Sequence, residues 1–182
     1  SGFEGALYKS FSTREEAKRA FKDNPRKHLK SKKSEKSKSD SEILSGKNII
    51  SQSIAVDAAC SGNPGQMEYR GVMVSSGEEI FHKGPWEDGT NNIGEFLAIV
   101  HALAYQQKKG EYLPIYSDSI NAIKWVEKRK CNTKLVQTDR NQEIFILIER
   151  AEKWLKSHSW TNQILKWDTR SWGEIPADFG RK

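Results

Sequence analysis

Four acids stand where ordinary folding gives them little reason to be. Asp57 interrupts the apolar strand pattern "SIAVDAA", in which alternation sets Ile54 and Val56 on one side and Ala55 and Asp57 on the other. Asp118 closes the apolar run "LPIYSD". Glu95 falls early in a long helical pattern, just after "GTNNIG". Asp178 sits in the C-terminal "EIPADFG". A buried carboxylate carries a large desolvation cost unless it is paired or binds a metal. No Arg or Lys is adjacent in sequence to Asp57, Glu95 or Asp118. Hard divalent cations that take oxygen ligands, Mg²⁺ or Mn²⁺, would neutralise such acids. The residues alone leave two readings open: one converging metal cluster, or separate acids exposed at strand ends.

The elements that must position these acids follow from pattern. "SQSIAVDAA", "EYRGVMVSS" and "EEIFHKGPW" read as three strands with turn residues between them, an antiparallel meander. "NNIGEFLAIVHALAYQQKKG" reads as a helix of about five turns, ended by its lysines and Gly110. "EYLPIYSDS" is a fourth strand and "NQILKWDT" a fifth. "SINAIKWVEKRK" and "NQEIFILIERAEKWLKSH" are helices, and "GEIPADFGRK" is a short terminal helix or turn. A strand–helix–strand order after a meander predicts an α/β fold, a mixed five-stranded sheet with helices on both faces.

The chain has 182 residues and a formal charge of +6. Residues 49–182 hold seventeen basic and seventeen acidic side chains. Residues 22–48, "KDNPRKHLKSKKSEKSKSDSEILSGKN", hold nine basic and four acidic. That Lys- and Ser-rich stretch has too few large apolar residues to bury a core, and a disordered linker is expected. It serves as a soluble spacer, as a tether that attracts polyanions, or as both. Residues 1–21 suggest one strand, "ALYKSF", and one helix, "STREEAKRAF", too little to stand alone. Cys60 and Cys131 lie in no disulfide or metal spacing, which points to a reducing, cytoplasmic setting. No apolar run approaches the ~18 residues of a membrane span.

"DAACSGNPG", "GTNNIGEFLAIVHAL", "IYSDS" and "WGEIPADFGRK" together resemble ribonuclease H type 1, of the bacterial kind that carries a hybrid-binding domain in front. The resemblance covers essentially all of residues 50–182, in order. Residues 1–21 are similar to the second half of that front domain. The resemblance implies a metal-dependent endonuclease that hydrolyses the RNA strand of RNA–DNA hybrids, leaving 5′-phosphate and 3′-hydroxyl ends. It implies that Asp57, Glu95, Asp118 and Asp178 bind two Mg²⁺ ions, for which Mn²⁺ substitutes, and that Glu174 is a further acid at the site. An i,i+4 spacing would put Glu174 and Asp178 on one helical face; alternatively Glu174 is an exposed acid at a helix start. Two ions about 4 Å apart can hold an attacking water and a leaving 3′-oxygen on either side of one phosphate.

Further residues enter through the same resemblance. Asn63, Asn91 and the backbone of Cys60 and Gly62 would touch the RNA groove, whose 2′-hydroxyls distinguish RNA from DNA. Thr90, Asn92 and Thr133 would hold a DNA-strand phosphate, although "GTNN" is also a good helix cap. Tyr8 and Lys9 would contact the DNA backbone. Two departures are visible. Ile120 stands beside Asp118 where related enzymes often carry Gln, and the basic helical protrusion of some relatives is absent. Trp125, Trp154, Trp167 and Trp172 read as packing groups. The expected partner is an RNA–DNA hybrid, with no membrane, and the expected state is a monomer. The rival readings are a DNA-acting nuclease of the same superfamily and a hybrid-binding or ribosome-associated module without catalysis.

Overall fold

The structure, a computed structural model, describes residues 43–44 and 48–180. The expected front piece with Tyr8 and Lys9, and most of the expected linker, lie outside the described residues. Within that linker, Ile43–Leu44 (β1) pairs antiparallel with Ile49–Ile50 (β2).

The main sheet is built from Ile54–Cys60 (β3), Gly65–Met73 (β4), Glu79–Gly89 (β5), Ile115–Ser117 (β6) and Ile164–Lys166 (β7). Their order is β5-β4-β3-β6-β7. β3, β4 and β5 form the predicted antiparallel meander, and β6 and β7 join it in parallel. β3 therefore has an antiparallel neighbour on one side and a parallel one on the other. The sheet changes direction there.

The helices are Asn91–Lys109 (α1), Ile120–Glu127 (α2), Gln142–Ser157 (α3) and Thr169–Trp172 (α4). α1 stops where expected. Gly110 takes the left-handed conformation at φ 70°, and its N–H reaches the carbonyls of Gln106 and Gln107. Lys108 and Lys109 meet the negative end of the helix. Ser119 caps α2 by accepting from the Ala122 N–H at 3.3 Å.

Strand alternation sorts the core into two layers. Ile54, Val56 and Ala58 pack with Phe96, Ile99, Leu103, Ile144 and Leu155 of the long helices. Ala55 and Val72 face the other way and pack with Tyr116, Trp167, Ile175 and Ala177. Helices thus cover both faces, unequally: α1, α2 and α3 on the first, and among the described residues only the single turn of α4 on the second, through Trp172. Trp167 sits edge-on to Tyr116 (5.4 Å) and to Trp172 (5.1 Å). Trp125 is edge-on to Phe96, and Trp154 stacks on Trp160. The tryptophans are packing groups, as read from the sequence.

The C-terminal stretch corrects one expectation. The short helix precedes "EIPADFG", and residues 174–180 are not helical. Gly173, at φ 82°, ends α4, and Pro176 has no N–H to continue a helix. Glu174 and Asp178 therefore do not share a helical face.

Candidate active site

The last paired rung between the parallel strands β3 and β6 is Val56 with Ser117. The next residue on each chain is an acid, Asp57 and Asp118. They stand where the sheet changes direction, at the carboxyl end of β6, where open α/β sheets place their ligand crevices. The third acid comes from the first turn of α1. A Cβ on Gly94 would lie 2.7 Å from the Cβ of Ala58, so only glycine lets α1 settle this close on β3. That approach sets Glu95 beside Asp57. Glu95, 1% exposed, accepts a hydrogen bond from Ser117 Oγ at 3.3 Å. One carboxylate oxygen from each of Asp57, Glu95 and Asp118 lies within 4.8 Å of the others.

Burial and mutual repulsion act on all three. Burial pushes Asp57 up to about 6, aided by the charges of Asp118 and Asp178 and opposed by its hydrogen bond with Glu95. Glu95 is held well above the usual carboxylate range, first by burial and then by the charge of Asp57. Their titrations are linked, and both are shifted upward. Asp118 is raised by burial, with Lys166 pulling the other way.

Asp178 joins the group across an open cleft of about 410 Å³ lined by Asp57, Ala58, Ala59, Cys60, Ser61, Asn91, Asp178 and Phe179. Glu174 is exposed, close enough to Asp118 for its charge to be felt there. Ile120, the first residue of α2, is 52% exposed beside the site.

The residues read as substrate contacts divide between two clefts. Asn91 and Cys60 line the one that holds Asp57. Asn63, Thr90, Asn92 and Thr133 line a second, of about 460 Å³, with Trp125, Asn132 and Lys134. Thr90 occupies the N-cap of α1 yet makes no side-chain capping bond, so the capping reading of its hydroxyl does not hold. The turn at Gly62 is tightly closed. A Cβ there would lie 2.8 Å from the Pro64 carbonyl oxygen, and one on Gly65 would lie 2.5 Å from the Gly62 nitrogen. The turn needs both glycines to close on itself, before any substrate is considered.

Residues 51–167, more than half of the chain, match the RNase H family model. The chain belongs to the RNase H family. The ribonuclease H of Neorickettsia sennetsu is 30% identical over 121 residues, 58% of this chain and 80% of that protein. The ribonuclease H of Acetivibrio thermocellus is 32% identical over 117 residues, 57% of this chain and 79% of that one. Among solved structures, RNase H1 from the archaeon Halobacterium salinarum overlays with a TM-score of 0.41 at 23% identity, covering 63% of this chain and 83% of its own.

In this RNase H the matched region contains Asp57, Glu95 and Asp118 and ends before Glu174 and Asp178. Members of the family are metal-dependent nucleases, and the donor set fits a hard divalent cation. It is all carboxylate oxygen, it is crowded, and Asp57 and Glu95 are raised first by burial and then by neighbouring acids, with no cation acting on either. Two supporting residues escaped the sequence reading. Ser117, fully buried, donates to Glu95 and accepts from the Ser119 N–H; its only sequence signal is a hydroxyl ending an apolar strand just before an acid. Lys166, on β7, lies near Asp118 only because two short parallel strands pair. Among the described residues no helix is long and apolar enough to cross a membrane.

Proposed function

We propose that this RNase H cuts the RNA strand of RNA–DNA hybrids at the carboxylate cluster, using two Mg²⁺ ions for which Mn²⁺ can substitute, and leaves 5′-phosphate and 3′-hydroxyl ends. The observation that carries the reading is the convergence of Asp57, Glu95 and Asp118, with Asp178 facing them across the cleft. Asp57, deepest in the sheet, would serve both ions, with Glu95 and Asp118 on the leaving-group side and Asp118 and Asp178 on the water side. Glu174, whose charge acts on Asp118, would assist there. When bound, the ions would lower the pKa of the attacking water and offset charge on the leaving oxygen.

The chain's own groups orient the hybrid. Asn91, Asn63 and the backbone of Cys60 and Gly62 would touch the RNA groove. The α1 N-terminus supplies free N–H groups and positive potential for a DNA phosphate, alongside the hydroxyls of Thr90 and Thr133, the amide of Asn92 and the charge of Lys134. Tyr8 and Lys9, in a partial hybrid-binding piece at residues 1–21, would add DNA-backbone contacts. Residues 22–48 would serve as a basic tether to the catalytic part, residues 49–182. The reading includes a monomer acting in the cytoplasm. Cleavage of labelled hybrid, duplex DNA and duplex RNA tests it: RNA-strand cutting in the hybrid alone is expected, and equal cutting of duplex DNA sinks it.

A further inference from the structure

β4 sets Arg70 directly opposite Asp57 on β3 and opposite His82 on β5. Residues directly opposite across an antiparallel pair share a face, and opposite charges there attract. The simple expectation is an Arg70–Asp57 ion pair. The guanidinium goes elsewhere. Its Nε donates to the Ala177 carbonyl at 2.9 Å, and one Nη donates to the Asp178 carbonyl at 2.6 Å. The other Nη reaches Glu79 at 3.3 Å. Its Cζ lies 4.7 Å from the centre of the Phe179 ring.

Residues 174–180 belong to no ladder, so their carbonyls need partners from elsewhere. Upstream anchors exist: Trp167 Nε1 donates to the Gly173 carbonyl at 2.8 Å, and Ile175 and Ala177 are buried. These hold the segment as far as Ala177. Asp178 is also tied locally, its N–H donating to the Ile175 carbonyl at 2.8 Å and its Oδ2 accepting from the Gly180 N–H at 2.8 Å; Arg70 adds the bond to its carbonyl from the sheet. The planar fork grips two successive carbonyls, which a point charge could not do. The same bonds spend the cation on carbonyls and leave Asp57 unquenched.

We propose that Arg70 is a positioning residue for Asp178, fixing where that carboxylate meets the metal. This rests on the reading of Asp178 as a metal ligand. Residues that orient a metal ligand typically change metal affinity or activity by ~10–100-fold when lost, and the same range is expected here.

The test compares the full chain with Arg70→Met, Arg70→Lys, Asp178→Asn and the Arg70→Met/Asp178→Asn double variant. Mn²⁺ alone is titrated against melting temperature, and hybrid cleavage is followed over the same Mn²⁺ range. Arg70→Met should raise the half-saturating Mn²⁺ by about 10–100-fold. Arg70→Lys, reaching one carbonyl, should fall between it and the parent. In the Asp178→Asn background Arg70→Met should add nothing, since its effect runs through that acid. A parental Mn²⁺ dependence for Arg70→Met while Asp178→Asn shifts it overturns the proposal. So does an equal shift in both backgrounds, the mark of a general structural role. An unshifted Asp178→Asn refutes the ligand reading itself, and this inference with it. If Arg70→Met melts before it can be titrated, Arg70→Lys decides: an intermediate value supports the proposal and a parental value overturns it.

Discussion

Asp57 and Asp118 stand one step beyond the last paired rung of two parallel strands, Val56 with Ser117. Two carboxylates are thereby fixed side by side by backbone pairing rather than by flexible side chains. Glu95 is added where Gly94 lets α1 approach Ala58.

That placement makes Asp118 the cleanest acid to remove. It is the least buried of the three clustered acids, so Asp118→Asn should fold normally. Cleavage should fall by at least ~10³-fold while hybrid affinity, read by fluorescence anisotropy, stays within ~3-fold, because charge is lost and shape is kept. Near-parental turnover would remove Asp118 from the metal set.

The raised carboxylates predict a pH-dependent stability in metal-free protein. Asp57 moves from 3.8 up to about 6 on folding. Between those values the folded state holds a proton that the unfolded chain releases, so this acid's contribution falls as pH rises through the window and is level above it. His101 acts with the opposite sign. Burial lowers it from 6.5 to about 4, so its contribution is full above 6.5 and is lost as pH falls. Comparing Asp57→Asn with the parent isolates the acid. The variant should melt near the parent at pH 4 and several degrees higher at pH 7.5, on the order of 1–3 kcal/mol. Saturating Mg²⁺ should narrow that gap by stabilising only the parent. A metal-free gap that shrinks with rising pH would contradict the assignment.

These positions also show what the sequence made legible. Asp57, Glu95 and Asp118 were legible as candidates because Asp57 interrupts a strand, Asp118 closes one and Glu95 falls early in a long helix, and the two-faced core followed from alternation at Ile54, Ala55 and Val56. Asp178 was recognised as an acid of interest, but helix and turn stayed open for its backbone, because the local pattern "EIPADFG" does not reveal that Ile175 and Ala177 are buried with Trp167. Arg70 was invisible. Its partners lie over a hundred positions away in sequence, and cross-strand pairing taken alone assigns it to Asp57. Gly62 has a role the sequence did not show, since the turn's own Pro64 carbonyl already excludes a side chain there.

Charge distribution predicts a salt effect. Residues 1–41 hold twelve basic and six acidic side chains, the whole formal excess of +6. Removing them, while keeping β1, should weaken hybrid binding at low salt and flatten the slope of log affinity against log salt. An unchanged slope would make that segment a spacer only.

Reading of the RNA hydroxyls predicts a substrate effect that needs no mutation. Replacing the four ribonucleotides around the cut by 2′-deoxy analogues should slow cleavage by at least ~10²-fold, because the groove contacts near Asn63 and Asn91 lose their partners. Gly62→Ala is a poorer probe, since it should also distort the turn and lower the melting temperature. Equal rates on the substituted and parent hybrids would favour a DNA-acting nuclease.

The most direct measurement of the central claim is one cleavage gel with end mapping: hybrid, duplex DNA and duplex RNA, each with Mg²⁺, with Mn²⁺ and with EDTA. The expected result is cutting of the RNA strand of the hybrid alone, with either metal and not with EDTA, and products that carry 5′-phosphate and 3′-hydroxyl ends. Cleavage that persists in EDTA, or duplex DNA cut as fast as the hybrid, would contradict it.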